Sequence, residues 1–134
     1  MRFLFHPLVV HFPVALWLTS FLFDLLYFRT KERFFAAGST YLVGLGLVSA
    51  GLSIALAFVD YIPLVAEGVG QAFVDRHRVH SAMAYATTAL YAGIFVARWR
   101  WKRMPTAAYL GSSTVAAVLI ATVAYLGGEI RRVM

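Results

Sequence analysis

The residues of this chain best suited to chemistry are its four histidines. They form two short pairs, His6 and His11 in HPLVVHFP, and His77 and His80 in RHRVH. Each pair stands at the head of a long apolar run. Imidazole binds iron, copper, zinc and nickel, and ionisable groups in or beside membrane spans are costly and usually functional. A lone histidine at an interface is ordinarily a solvated or hydrogen-bonded side chain. Two clusters opening runs that leave in the same direction point instead to a metal. The expectation is haem b, one or two, with His11 and His80 as one axial pair and His6 and His77 as a second. Copper or zinc on the same histidines, in a metal-binding or transport component, is one alternative, and a structural membrane subunit whose histidines only form hydrogen bonds is the other. Met83, three residues beyond His80, adds the option of a His/Met copper site or mixed haem ligation.

Elements able to position these groups follow from composition. Hydrophobic residues make up 61% of the 134 and charged residues 13%, with mean hydropathy +0.75. A soluble domain has about 45–50% apolar and about 25% charged residues, so this chain has too little polar surface for water and needs lipid. The 12 Lys and Arg against 6 Asp and Glu flank the apolar runs instead of lining one face. That distribution fits membrane topology and argues against nucleic acid. With no cysteine, disulfides, thiolate zinc sites, covalent haem attachment and Cys-ligated iron–sulfur clusters are excluded. No Gly-rich phosphate loop, nucleophile–base constellation or glycosidase-type carboxylate pair supports a hydrolase.

The expected fold is all-α, an integral membrane four-helix bundle in a single domain over 1–134, with helices at about 7–28, 38–59, 77–97 and 106–128. The first run, 22 residues from Pro7 to Phe28, would rise about 33 Å against a hydrocarbon core of about 30 Å. It lacks the short h-region and small-residue site of a cleaved signal peptide and reads as a retained helix. Either the helix starts at Pro7 with a kink at Pro13, or it starts near Pro13 after an irregular entry. In the second helix Gly44, Val48, Gly51 and Ala55 form a stripe for close packing. Residues 60–76, with Pro63, Gly68 and Gly70, read as one long outer loop.

Basic residues set the orientation. Arg29, Lys31, Arg33, Arg98, Arg100, Lys102 and Arg103 follow the first and third helices, against Arg2, Arg76, Arg78, Arg131 and Arg132 opposite. Positive-inside logic puts the larger group in the cytoplasm. The expectation is a multi-pass protein of the bacterial inner membrane with both termini and all histidines outside. Tyr27, Trp99, Trp101 and Tyr109 would form the inner aromatic belt. Arg76, Arg78, Arg131 or Arg132 could pair with haem propionates. Asp24, deep in the first helix, reads as a partner for Arg98 or Arg29, with proton handling as the sharper reading. Partners would be lipid and a periplasmic redox protein or quinone, with a homo-oligomer possible.

Aligned on itself at an offset of 69 residues, the chain matches His11 with His80, Ala15 with Ala84 and Arg29 with Arg98. This predicts two tandem helical hairpins about a pseudo-two-fold along the membrane normal. His11 would then face His80, with Ala15 and Ala84 leaving room for a flat macrocycle.

The opening HPLVVHFPVALW, the LFDLL that follows and AFVDY late in the second helix resemble small bacterial membrane proteins of the domain-of-unknown-function 2231 family. The resemblance carries the family pattern onto His6, Pro7, His11, Phe12, Pro13, Asp24 and Asp60. It implies a four-helix span and supplies no activity. The architecture is similar to that of minimal b-type cytochromes, with bis-His haem inside a four-helix bundle.

Overall fold

A computed structural model of the protein describes residues 5–100, 106–130 and 132. Its helices are α1 (His6–Val9), α2 (His11–Thr30), α3 (Arg33–Ala66), α4 (Gln71–Arg100) and α5 (Thr106–Ile130). Among the described residues, four spans, with α1 and α2 counted as one, are long and apolar enough to cross a membrane.

Local chemistry sets the breaks. Pro13 has no N–H for the carbonyl of Val9 and its ring crowds that carbonyl, and α1 ends at Val9. Val10 keeps helical angles (φ −61, ψ −22), so α1 and α2 run on as one bent span. Lys31 closes α2 in the left-handed region (φ 60), its N–H donating to Tyr27 O at 2.8 Å. Glu32 is extended (φ −75, ψ 120), which turns the chain into α3.

The expected long outer loop is a correction. Helix continues through Pro63 to Ala66 and resumes at Gln71, leaving residues 67–70 as the connection. One proline costs a single backbone hydrogen bond in a helix this long. The actual stop is Gly68 at φ +84, which a side chain would resist. At 34 residues, α3 rises about 51 Å, so it and α4 overhang the rest of the bundle as a hairpin.

The four long helices pack as a square. α2 lies on α3 and α4 on α5, and the two hairpins join through α2 against α5 and α3 against α4. Along α2, α3 and α4 buried residues recur at steps of three, four or seven positions. They are Pro13, Trp17, Ser20 and Asp24 on α2; Ser39, Val43, Gly46, Ala50 and Ser53 on α3; and His80, Thr87, Tyr91, Ile94 and Arg98 on α4. On α5 they are Ser113, Ala116, Ala117, Ile120 and Val123. Alternating steps of three and four residues are the seam pattern of near-parallel bundles.

These stripes reveal the repeat, at an offset of 74. His6 meets His80, ring centroids 6.5 Å apart. Trp17 stacks on Tyr91 at 4.0 Å, and Asp24 pairs with Arg98 at 2.7 Å. Each pair differs by 74 positions, as do Ser39 and Ser113. The hairpins are therefore related by a pseudo-two-fold, with equivalent residues touching across the axis. The offset of 69 is corrected: it aligned the exposed Arg29 with Arg98, which is buried against Asp24. Under it the buried Pro13, Trp17, Ser20 and Asp24 would match Ala82, Ala86, Ala89 and Gly93, all exposed.

The expected packing stripe of α3 is likewise corrected. Val48 is 74% exposed, and Gly51 and Ala55 are exposed. The close approach is at Gly46, where a Cβ would collide with the Trp17 indole. Trp17 Nε1 donates to Val43 O at 3.2 Å, which locks α2 against α3.

Candidate functional site

Polar groups collect in two layers of the bundle, one near each end. The first is the histidine layer. The backbone N–H of His6 donates to Asp60 Oδ2 at 2.7 Å, and its ring Nδ1 lies 2.8 Å from Ser53 O. A carbonyl only accepts, so Nδ1 carries a proton, and in the neutral ring that leaves the lone pair on Nε2. Metal-binding histidines are commonly held this way, with the second nitrogen bonded to a carbonyl. Across the axis stands His80, 8% exposed, its ring plane at 77° to that of His6. His80 Nδ1 is buried without a hydrogen-bond partner. Gly127 of α5 makes room for this ring, since a Cβ there would lie 3.2 Å from His80 Cε1.

The other histidines stand apart from this pair. His77 is half-buried and stacked on Tyr61, centroids 3.9 Å apart and planes at 15°. Its Nδ1 lies 3.3 Å from Ser81 Oγ. His11 is exposed, so the expected His11–His80 pairing is replaced by His6–His80. Five residues turn a helix through about 500°, a net rotation of about 140°. His6 and His11 therefore cannot both face the axis. Ala15, one turn beyond His11, is exposed too.

Of the arginines expected near a cofactor, Arg76 is engaged by the end of α5. Its Nη1 donates to Glu129 O at 3.1 Å and lies 3.6 Å from the Glu129 carboxylate. Arg132 also pairs with Glu129, at 2.8 Å. Arg78 is exposed, and Arg131 lies outside the described residues. Among the described residues, no three His, Asp or Glu side chains converge as a bare metal ion would require.

The second layer is centred on Asp24, 1% exposed, and here the expected partnership with Arg98 is found. Arg98 Nη2 donates to Asp24 Oδ2 at 2.7 Å, and Nη1 to Ser39 Oγ at 2.8 Å. Ser113 Oγ donates to the same carboxylate oxygen, and Tyr109 Oη donates to Oδ1 at 2.8 Å. Arg98 also lies over the Tyr109 ring, 4.2 Å from its centroid. One carboxylate thus ties together all four long helices. Every partner is satisfied, which a buried ion pair requires to be tolerated.

Sequence reading missed Ser53 and Asp60 as supports of His6, and Trp17, Tyr91, Ser39 and Ser113 as axial residues. Their signal was the seam spacing of three and four, which links Asp24 to Trp17 and Arg98 to Tyr91 by the same step of seven.

No curated protein and no solved structure matches the chain. The family model described as predicted membrane protein (DUF2231) matches residues 3–133, and the chain belongs to that family of membrane proteins.

Proposed function

We propose that the protein is a membrane redox protein of the b-type cytochrome class, with haem iron held between His6 and His80. The observation that carries this reading is the pair itself. Two imidazoles related by the pseudo-two-fold meet edge-on, with ring centroids 6.5 Å apart and nearly perpendicular planes. A metal bonded to one nitrogen of each ring at about 2.0–2.1 Å suits a gap of that size. Haem asks for only two protein ligands, whereas zinc sites take three or four, and here two meet. The pairing favours one haem over two.

The chain's own residues would prepare the site. Ser53 O and Asp60 fix the tautomer and position of His6, and Gly127 admits His80. α1, four residues long and joined to α2 at a proline bend, is the element able to shift to seat a macrocycle. Bound haem would supply one-electron exchange, its potential set by the two imidazoles and by burial. The electron partner would be a quinone or a redox protein at the histidine end. Exposed Arg29, Lys31, Arg33 and Arg100 at the opposite end support an inner-membrane orientation with the histidines and both termini outside. A C-terminal reporter active only in the periplasm would report that orientation, and activity only in the cytoplasm would reverse it.

The test is an absorbance spectrum of protein made with ample haem and extracted in mild detergent. A Soret band that shifts on reduction is expected. It should vanish in His6→Ala and in His80→Ala and persist in His11→Ala. Colourless protein carrying stoichiometric copper or zinc would replace haem by a bare metal. Colourless, metal-free protein would end the reading.

A further inference from the structure

The interior from the histidine layer to the Asp24–Arg98 layer should leave no polar atom unanswered, and it does. Among the described residues, four buried side-chain atoms have no hydrogen-bond partner: Ser53 Oγ, His80 Nδ1, Thr87 Oγ1 and Tyr91 Oη. Their residues are 4%, 8%, 0% and 2% exposed. In hydrocarbon an unsatisfied polar group is costly unless water reaches it. Valine at 87 and phenylalanine at 91 would fill the same space without that cost.

These groups are aligned. His80, Thr87, Tyr91 and Arg98 sit at steps of 7, 4 and 7 residues along α4, which keeps them within about 20° of the His80 direction. All four are buried on the face turned to the axis. Ser53 lies in the histidine layer, where its carbonyl accepts from His6. At the far end Tyr91 borders the same crevice as Ser20, Asp24, Arg98 and Ser113. The axial steps are about 10.5, 6 and 10.5 Å, in total about 27 Å, against a hydrocarbon thickness of about 30 Å.

We propose that the bundle axis is a proton path, running from the histidine layer past Thr87 and Tyr91 to the Asp24–Arg98 layer. Each hydroxyl can accept a proton on one side while donating its own on the other, and water between successive groups would complete the chain. One proton enters at one end and one leaves at the other, and only O–H and N–H bonds change. The crevice between Tyr91 and Asp24 holds no water-sized space. Passage there needs the side chains to part, so the path is gated and its flux modest.

The experiment uses full-length protein in liposomes enclosing a pH-sensitive dye, with a potassium gradient and valinomycin driving protons inward. Acidification at least tenfold faster than in protein-free liposomes is expected. Thr87→Val and Tyr91→Phe should each lower it at least tenfold, and both preserve side-chain volume. Circular dichroism and a monodisperse elution profile establish that each variant is folded. Wild-type flux equal to that of empty liposomes, or undiminished flux in the folded Thr87→Val/Tyr91→Phe double variant, would overturn the proposal. No cofactor is needed for this measurement. Protons carried by colourless protein would remove the haem reading and leave this one standing.

Discussion

Asp24 shows how much one buried charge decides. It sits in an apolar helix because four groups from three other helices answer it: Arg98, Ser113 and Tyr109 directly, and Ser39 through Arg98. Removing one partner of a buried pair leaves the other charge unanswered, at a cost of about 3–5 kcal/mol. Asp24→Ala should lower stability by that amount, read as unfolding in detergent. The double replacement Asp24→Leu/Arg98→Met should cost less than Asp24→Ala alone, because it leaves no orphan charge. If the double variant is the less stable of the two, the pair contributes more than mutual compensation. Arg98 was also counted toward orientation, yet at 9% exposed and neutralised by Asp24 it is an internal strut. The topological signal rests on the exposed cations of the turns.

At the scale of elements, the bend at Pro13 aims α1. With an N–H restored at position 13, Val9 O regains its bond and α1 and α2 straighten into one rod. Pro13→Ala should therefore draw His6 away from Ser53 and His80 while the four spans persist. With haem bound as proposed, the readout is loss or broadening of its Soret band at unchanged helical circular dichroism. An unaltered band would show that the bend does not position His6. Contact between α2 and α3 depends on Gly46. Gly46→Ala forces the Trp17 indole to move and should cost about 1–3 kcal/mol. Gly51→Ala, which meets nothing within 4 Å, should be neutral or stabilising by up to about 1 kcal/mol. Equal effects at the two glycines would contradict the close packing at Trp17.

For the whole molecule, the pseudo-two-fold makes a prediction that pairwise contacts do not. Positions 24 and 98 are equivalent, as are 39 and 113, so the hydrogen bond of Arg98 to Ser39 mirrors that of Ser113 to Asp24. Arg98 lies over Tyr109, whose equivalent is Phe35. The exchange Asp24→Arg/Arg98→Asp should therefore recover at least half of the stability lost in either single variant, measured by unfolding in detergent. A double variant no better than the singles would mean that the symmetry is only approximate in this layer. The same symmetry explains why both polar layers sit on the axis, the one place where a residue meets its own counterpart.

What the sequence determined by itself was the solvent, the helix count and the residue types at stake. Apolar runs of bilayer length admit few other solutions, because backbone polar groups in lipid must bond internally. His6, His80, Asp24 and Arg98 were all visible as polar residues in or beside those runs. Which of them meet was decided by tertiary structure. Pairing depends on helix phase and on the register between hairpins. A slip from 74 to 69 residues rotates a helix by about 140° and exchanges its buried and lipid faces. In water a wrong face would be polar and betray itself. Here both faces are apolar, so hydrophobic pattern could not choose between His11 and His6 as the partner of His80. The choice fell to Trp17 seated on Gly46, the Asp24–Arg98 pair and the bend at Pro13.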